Sequence, residues 1–309
     1  MPRRESIAVI LNAAAGSARA DRHTGVEIAD LFRAAGCDAD VIELTAGQSP
    51  TDAAREASKR AAIVVAAGGD GTVSGIAAAV AGSATALGIL PLGTLNHFAK
   101  DLGIPLTLPD AIAVVAAGHL ARVDAAEVNE RIFINNASIG IYPGIVEERE
   151  ELQRQGHRKW PAMAVATLRL LRRYRGVTVR ADVHGVQRIW RTPFVMAGNN
   201  EYAVEGLDLG GRPALDRGLL FVYVAPRART RDLPLLLAKA LFGRVSRSGG
   251  LEVVPATTLT IDTPRGSQIR VSVDGEVVTM RSPLAFRSRP GALRVVVPNA
   301  APDAAPPAR

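Results

Sequence analysis

The sequence predicts two domains, an α/β domain with a parallel sheet followed by a β-rich domain of the antiparallel, sandwich-like kind. The chain has 309 residues, which is long for one core and ample for two. Apolar runs alternate with helical patterns up to Asp124, whereas short strands separated by Gly, Pro or Asp turns dominate after it. The predicted domains are therefore 1–123 and 124–298, and the Ala- and Pro-rich stretch 299–309 is predicted to be a disordered tail.

The first domain is predicted to be a β-α-β series. The run 63–67 is apolar throughout, which is typical of a strand buried on both faces of a parallel sheet, and 21–35 carries apolar residues at helical spacing. The predicted strands are 7–11, 40–44, 63–67 and 86–90, and the predicted helices are 21–35, 51–60, 73–81 and 108–117.

The second domain is predicted to consist mainly of strands, many with alternating apolar and polar residues. Two helical patterns, near 159–174 and 232–242, interrupt them. The predicted strands are 123–128, 131–136, 177–183, 186–191, 193–197, 219–224, 251–254, 257–263, 268–273, 277–281 and 292–297.

Charge is distributed unevenly along the chain. Up to Asp124 there are 10 Lys and Arg against 13 Asp and Glu, whereas the remainder has 27 against 17. The basic second part indicates an anionic partner such as a phospholipid surface, phosphate groups or nucleic acid. An Arg-rich composition typical of a GC-rich genome explains any single Arg equally well. Cys37 is the only cysteine, so no internal disulfide can form, which fits a reducing cytoplasm.

The strongest motif is Gly-Gly-Asp-Gly-Thr at 68–72, which follows a predicted buried strand and precedes a helix. Its glycines allow a sharp turn with exposed amides, and the helix dipole favours a phosphate there. Asp70 would repel that phosphate unless a metal ion bridges the two or the carboxylate accepts a proton. The alternative is a glycine-rich turn in which Asp70 caps the helix. The motif is neither a Walker A loop nor the dinucleotide fingerprint.

Two further segments follow strand ends of the same predicted sheet, where strand ends converge on one crevice. Residues 90–100 contain Gly93, Thr94 and Asn96, which offer backbone and side-chain donors. Residues 12–16, Asn-Ala-Ala-Ala-Gly, follow the first strand, and Thr45 follows the second. Each of these signals is weak alone and is equally compatible with an ordinary turn.

The second domain contains one acidic motif, Asp274-Gly275-Glu276. Two carboxylates on a tight turn could activate a hydroxyl group or hold a metal ion. The alternative is structural, because Asp-Gly is also a common hairpin turn.

Together these motifs resemble the diacylglycerol kinase catalytic family of bacterial lipid kinases, a group that includes sphingosine and ceramide kinases. Gly-Gly-Asp-Gly-Thr is shared more widely with NAD kinases and phosphofructokinases. The pattern Pro-Leu-Gly-Thr-x-Asn-x-Phe-Ala at 91–99 and the late Asp-Gly-Glu narrow the resemblance to lipid kinases. Residues 133–140 also resemble the family's strand at the start of the second domain, and the resemblance extends from Asn12 to about Pro298.

The resemblance implies ATP and Mg²⁺ as cofactors and assigns roles to particular residues. It implies catalytic roles for Asp70, Asp274 and Glu276. Asp274 and Glu276 would face the acceptor hydroxyl, with Glu276 the preferred general base, and Asp70 would act with Mg²⁺ on the phosphates or share the base role. The nucleotide-binding residues are expected to be Asn12, Ala13, Ala14, Ala15, Gly16, Thr45, Gly68, Gly69, Asp70, Gly71, Thr72, Val73, Ser74, Gly75, Thr94 and Asn96.

The sequence departs from the family pattern at three places. Ala13 and Ala15 replace the usual Pro and Ser of the first motif, and His97 stands where an Asp is common. Some members hold a structural metal through an Asp-Gly-Leu-Leu turn, and in the matching stretch here, residues 215–220, Arg217 stands where the ligand Asp would be. We therefore expect that metal site to be absent or altered, with Asp216 a doubtful ligand that could instead pair with Arg217.

A lipid kinase must reach its substrate at a bilayer, so an anionic membrane surface is the expected partner and the expected localisation is cytoplasmic and peripheral. Residues 154–180 contain eight Lys and Arg and no acid, with apolar residues at helical spacing, which fits an amphipathic helix on anionic lipid. Residues 233–242, flanked by Arg, are a second candidate. In each case the apolar stripe could instead pack on its own domain.

Three alternatives to a lipid kinase remain open. They are a soluble kinase resembling NAD kinase, a non-catalytic lipid- or nucleotide-binding regulator, and a nucleic-acid-binding protein. The last is the weakest, because the basic region has few interleaved aromatic residues. A homodimer through an exposed sheet edge is also compatible with the sequence.

Overall fold

The computed structural model describes residues 6–12, 23–140, 144, 177–183, 185–205, 208–209, 211–224, 252–262 and 268–299. The chain divides into two compact units. The first comprises the described residues up to Arg122 together with those from Leu293 onward, and the second comprises Val123–Ala292.

The first unit is an α/β domain in which strands and helices alternate. Its strands are β1 (Ile7–Leu11), β2 (Ala39–Glu43), β3 (Ile63–Gly68) and β4 (Ala86–Pro91). Its helices are α1 (Gly25–Ala34), α2 (Pro50–Ala57), α3 (Asp70–Val80), α4 (His97–Asp101) and α5 (Leu108–Ala117).

The four strands form a parallel sheet in the order β2-β1-β3-β4. Every residue of β1, β3 and β4 is buried, as expected for a parallel sheet covered by helices on both faces. Local signals set the helix starts: the Thr24 side chain accepts a hydrogen bond from the amide of Glu27 at α1, and the Ser49 side chain accepts one from the amide of Asp52 at α2. The predicted α/β domain with a parallel sheet is confirmed.

The second unit is built from antiparallel strands. They are β5 (Leu120–Val128), β6 (Arg131–Phe133), β7 (Asn136–Gly140), β8 (Val177–Val183), β9 (Val186–Thr192), β10 (Phe194–Asn199), β11 (Val204–Glu205), β12 (Asp208–Leu209), β13 (Leu220–Val224), β14 (Glu252–Ala256), β15 (Thr258–Asp262), β16 (Gln268–Val273), β17 (Glu276–Arg281) and β18 (Leu284–Val296). The first residues of β5 and the last of β18 belong to the first unit.

Two antiparallel layers pack on a shared core in this unit. One layer has the order β14-β13-β10-β7-β16-β17, and in the other β18, β15, β8 and β9 pair in succession. Val222 and Val271 from the first layer and Trp190 and Leu259 from the second lie in one buried apolar cluster. The predicted β-rich, sandwich-like domain is confirmed.

Several element boundaries differ from the predictions. The predicted strand 131–136 is two strands, β6 and β7. The chain bends at Ile134 and Asn135, whose amides donate to the carboxylate of Asp274. The predicted strand 292–297 corresponds only to the end of β18. The first part of β18 contains Arg287, Arg289 and Pro290 and therefore lacks a continuous apolar pattern. The short helix α4 was not predicted.

The structural division also differs from the sequence-based one at the C-terminal end. Residues from Leu293 group with the first unit, where Val295 pairs in parallel with Leu87, whereas the sequence assigned them to the second domain. The predicted helices near 159–174 and 232–242 and most of the predicted tail lie outside the described residues. Among the helices that the structure describes, none is long and apolar enough to cross a membrane.

Candidate active site

The loops after three parallel strands meet at one edge of the first unit's sheet. Register places Leu11 beside Ala67 and Gly68 beside Pro91, so β1, β3 and β4 end together. Backbone bonds join the loops: the amide of Asn12 donates to Ala67 at 2.9 Å, and that of Leu92 donates to Gly68 at 3.1 Å. Asn12, the glycine loop and the Gly93 loop therefore lie at the same sheet edge, as the order of strands predicts, whereas residues 13–16 lie outside the described residues.

The glycine loop, residues 68–72, comprises the end of β3, Gly69 and the first three residues of α3. Gly69 is the N-cap of this eleven-residue helix and brings no side chain to its first amides. Free amides and the helix dipole at such a position favour an anion. Thr72 is buried, and its hydroxyl accepts a hydrogen bond from the amide nitrogen Nδ2 of Asn12 at 3.0 Å. A Cβ at Gly68 would lie 2.6 Å from that hydroxyl, so position 68 requires glycine.

Asp70 connects the glycine loop to the Gly93 loop. Its Oδ2 accepts a hydrogen bond from the backbone amide of Asn96 at 3.1 Å, and its Oδ1 accepts one from the amide of His97 at 2.8 Å. Asp70 thus stabilises the first turn of α4, a different helix from the one it begins. A carboxylate has about four acceptor positions, so two bonded amides leave capacity for a cation.

Asn96 holds the second loop in shape. Its side-chain oxygen accepts from the amide of Gly93 at 3.0 Å, and its Nδ2 donates to the carbonyls of Pro91 and Gly93 at 3.2 and 2.8 Å. Both Nδ2 hydrogens are therefore engaged inside the loop, and the residue is 8% exposed. The sequence assigned Asn96 to nucleotide binding, but the structure places its side chain in a supporting role.

The two loops approach each other at glycines. A Cβ at Gly93 would lie 2.5 Å from the Cα of Gly69, which is too short for any non-bonded contact. Glycine at position 93 is therefore required by backbone proximity. Thr94 lies exposed on the same loop.

The other predicted nucleotide-binding residues differ in where they lie and in how exposed they are. Thr45 is exposed just beyond β2, and its amide donates to the side chain of Gln48 at 2.8 Å. Val73 is buried in the core, and a Cβ at Gly75 would contact the hydroxyl of Thr51 at 3.1 Å, so Gly75 faces α2. Gly71 is exposed and Ser74 is half-buried on α3. Ala13, Ala14, Ala15 and Gly16 lie outside the described residues.

In the second unit, Asp274 and Gly275 form the two-residue turn between β16 and β17. Both have positive φ, 48° and 87°, and the flanking Val273 and Glu276 pair across the hairpin. This is the geometry that Asp-Gly favours in hairpins, so the structural interpretation of the motif is correct as far as the backbone is concerned.

The carboxylate of Asp274 also binds a distant segment. Its Oδ2 accepts from the amide of Ile134 at 2.9 Å, and its Oδ1 accepts from the amides of Asn135 and Asn136 at 2.8 and 3.1 Å. Asp274 is half-buried. Three backbone bonds make it an anchor for residues 134–136.

Glu276 has a different environment from Asp274. Its side chain is 69% exposed, and its Oε2 lies 2.6 Å from Nη2 of Arg131. The ion pair orients the carboxylate without covering it. Of these two acids, Glu276 has the more exposed side chain.

The turn at 215–220 contains a different ion pair from the expected one. Nη1 of Arg217 lies 3.2 Å from Oε2 of Glu201, so the expected pairing with Asp216 is replaced by Glu201, and Asp216 is exposed. Within the described residues, no group of three or more His, Cys, Asp or Glu side chains could hold a metal ion.

Two buried charged residues near this turn were missed by sequence reasoning. Asp124 is 1% exposed and accepts bonds from the amides of Gly218 and Gly291 at 2.6 and 2.8 Å and from Nδ2 of Asn200 at 3.1 Å. Arg212 is 5% exposed. No motif marks either residue, because burial of an isolated charge leaves no pattern in a sequence.

Known proteins provide an independent comparison. The family described as "Diacylglycerol kinase catalytic domain" matches residues 6–128, and the "YegS C-terminal NAD kinase beta sandwich-like domain" matches residues 144–297. A "Probable lipid kinase YegS-like" of Pectobacterium atrosepticum is 30% identical over 227 residues, covering 71% of this chain and 72% of that protein. A protein of the same description from Pseudomonas aeruginosa is 32% identical over 256 residues, covering 78% of each chain.

A solved structure agrees with these sequence matches. The crystal structure described as a diacylglycerol kinase from Bacillus anthracis superimposes with a TM-score of 0.70 at 21% identity, covering 97% of this chain and 99% of that one. At this identity the likeness concerns the fold. The sequence matches concern the family, and by them the chain belongs to the diacylglycerol kinase catalytic-domain family, among the YegS-like lipid kinases.

Proposed function

We propose that this protein is an ATP-dependent lipid kinase that transfers the γ-phosphoryl group to the hydroxyl of diacylglycerol or a related lipid alcohol. The single observation that carries the proposal is the Asp70 carboxylate bridging the two glycine loops at the carboxyl edge of the sheet. Asp70 is also the first residue of α3, so an acid and a helix N-terminus lie at this edge, which supports a site for phosphate and its metal ion.

The first unit supplies the phosphate site in this proposal. The amides at the start of α3 bind phosphate oxygens, and Thr72 and Asn12 keep the loop in position through their mutual hydrogen bond. Asp70 fits a Mg²⁺ ion bound with the nucleotide, because one protein carboxylate plus phosphate oxygens and water is a typical magnesium ligand set. Such an ion would neutralise charge on the transferring group.

The second unit supplies the base. Glu276 accepts the proton of the lipid hydroxyl while the hydroxyl oxygen forms its bond to the γ-phosphorus, and the bond to the bridging oxygen of ADP breaks. Asp274 keeps the turn in place through its three backbone bonds. In this proposal the three predicted catalytic residues have different roles: Glu276 is the base, Asp274 anchors the turn, and Asp70 binds the cation.

We further propose that the lipid is met at an anionic membrane surface. The part of the chain after Asp124 carries 27 Lys and Arg against 17 Asp and Glu. Basic residues close to an anionic bilayer contribute roughly 1 kcal/mol each. This fits a cytoplasmic protein that binds the membrane peripherally.

The test is transfer of labelled phosphate from ATP, with Mg²⁺, into diacylglycerol, monoacylglycerol, sphingosine and ceramide in anionic mixed micelles. Asp70→Ala removes the bridging carboxylate, and Asp52→Asn alters an exposed acid of α2 as a matched control. We expect a labelled lipid with the native protein and with Asp52→Asn, and formation of that product about 10²- to 10³-fold slower with Asp70→Ala. Phosphorylation of NAD in the absence of lipid, or ATP binding without any labelled lipid, would contradict the proposal.

A further inference from the structure

A buried arginine of the second unit contacts the segment that Asp274 anchors. Nη1 of Arg212 donates to the carbonyl of Ile134 at 2.6 Å and to that of Asn199 at 3.0 Å, and its Nη2 donates to Oδ1 of Asn135 at 2.9 Å. The residue is 5% exposed. None of the sequence motifs includes it.

Arg212 and Asp274 bind opposite ends of the same peptide group. The carbonyl of Ile134 accepts from Arg212, and the amide of the following residue, Asn135, donates to Asp274 at 2.8 Å. These two atoms belong to one peptide unit, so a cation polarises its oxygen while an anion binds its hydrogen. Hydrogen bonds in such a chain reinforce one another.

We propose that Arg212 is a positioning residue for the turn that receives the lipid hydroxyl. It acts through the Ile134–Asn135 peptide, which fixes Asp274 and, with it, Glu276. This role rests on the proposed function of Glu276 as the base. The Asp274–Glu276 turn cannot shift while residues 134–136 stay in place, because three amides of that segment hold the Asp274 carboxylate. Arg212 keeps the segment in place from its other side.

A tyrosine supports the same arrangement. The guanidinium carbon of Arg212 lies 5.5 Å from the ring centre of Tyr202, and the Tyr202 hydroxyl accepts from Nδ2 of Asn136 at 3.2 Å. Tyr202 is itself held by the Tyr223 hydroxyl, which accepts from its amide at 2.9 Å. One ring thus contacts both the guanidinium and the anchored segment.

The geometry requires arginine and not merely a positive charge. The planar guanidinium reaches two carbonyls and a side-chain amide in different directions, whereas a lysine ammonium is a compact charge on a flexible stem. A buried charge is costly to desolvate, and the same contacts could be replaced by apolar packing if stability alone were at stake.

The experiment compares Arg212→Met and Arg212→Lys in the full chain with Arg188→Met, which removes an arginine from the half-exposed pair with Glu252. Displacing a catalytic group by about 1 Å can cost roughly 100-fold in rate. We therefore expect kcat of Arg212→Met to fall about 10- to 100-fold with KM for ATP unchanged, Arg212→Lys to lie between it and the native protein, and millimolar guanidinium to restore part of the lost kcat. Arg188→Met should match the native protein.

The results that would overturn the proposal are clear. They are a kcat of Arg212→Met within about twofold of native, or a fall in kcat accompanied by a matching rise in KM for ATP and no rescue by guanidinium. If Arg212→Met does not fold, Arg212→Lys decides the question by the same criteria.

A second measurement separates this proposal from the proposed function. Amide hydrogen exchange at residues 134–136 and 274–276 does not depend on any substrate. If the native protein shows no lipid kinase activity, the proposed function fails, and exchange still tests the positioning. Faster exchange confined to these two segments in Arg212→Lys supports it, and unchanged exchange, or a rise throughout the second unit, overturns it.

Discussion

The two units use an acid at a glycine turn in different ways. Asp70 accepts hydrogen bonds from the amides of Asn96 and His97, which lie 26 and 27 positions later in the chain. It is also the first residue of a helix. Asp274 accepts three amides from a segment about 140 positions earlier, and it stands in a hairpin. Both acids hold a distant loop, but only Asp70 combines that role with a helix N-terminus that favours an anionic ligand. The comparison teaches that an acidic residue in a motif can serve to anchor the backbone of a distant segment.

The largest expected effect separates Glu276 from Asp274. Glu276→Gln should lower kcat about 10²- to 10⁴-fold, the range that general bases contribute. Thermal stability should not change, because the Glu276 side chain is 69% exposed and pairs with Arg131, which is also exposed. Lipid phosphorylation and thermal unfolding measured together check this. Glu252→Gln, which alters the Arg188–Glu252 pair of the same 2.6 Å length, is the matched control.

Asp274→Ala should behave in the opposite way with respect to stability. It leaves three amides without their acceptor, and one buried unsatisfied group costs about 1–3 kcal/mol. Its unfolding free energy should therefore fall by at least that amount, measured by denaturant titration. Equal stability of the Asp274 and Glu276 variants would remove the distinction between anchor and base.

For Asp70→Ala, loss of activity should exceed loss of stability. Removing one electrostatic group at a reacting centre costs about 10²- to 10³-fold in kcat, whereas losing a helix-capping side chain costs about 1 kcal/mol. Thr94→Ala, on the same edge of the sheet, should lose much less activity. If the two variants have similar kcat values, Asp70 acts only as a loop anchor, the role that we propose for Asp274.

The contrast between the two turns also shows how far the sequence leads. The parallel sheet and the convergence of its loops follow from apolar runs such as 63–67 and from the order of strands, which are local signals. The partners of Asp70 and Asp274 do not follow, because a carboxylate that binds backbone amides needs no particular residue type at the other end. Asn96 illustrates this limit: its side chain looked like a ligand group, yet all three of its hydrogen bonds stay within the loop.

Errors in the second unit have a related physical cause. The residues between β6 and β7 continue the strand pattern, but Asp274, Arg212 and Asn199 draw residues 134–135 into a turn through contacts across the fold. At the level of sequence, Asp124 marked only the predicted domain boundary. In the structure it is buried and accepts hydrogen bonds from Gly218, Gly291 and Asn200. Long-range polar contacts of this kind have no periodicity that a sequence could display.

A smaller effect is expected from adding a side chain at the point where the glycine loop and the Gly93 loop are in contact. Gly93→Ala would place a Cβ 2.5 Å from the Cα of Gly69, and overpacking of this kind costs about 1–3 kcal/mol. The loop that carries Asp70 must shift, so KM for ATP should also rise. Gly71→Ala has nothing within 4 Å of its added Cβ and should leave stability nearly unchanged. Equal stability of the two variants would show that the loops can separate freely.

The smallest expected effect is at Thr72, where only one side-chain hydrogen bond is at stake. Thr72→Val keeps the shape of the buried side chain but removes the acceptor for Nδ2 of Asn12, and a single hydrogen bond contributes about 1 kcal/mol net. Thr72→Ser keeps the acceptor and loses only a methyl group. If the Asn12–Thr72 bond orders the phosphate loop, the valine variant should raise KM for ATP while the serine variant does not. A serine variant as impaired as the valine one would instead assign the role of Thr72 to packing, and would leave the link between the loops to the bonds from Asp70 to Asn96 and His97.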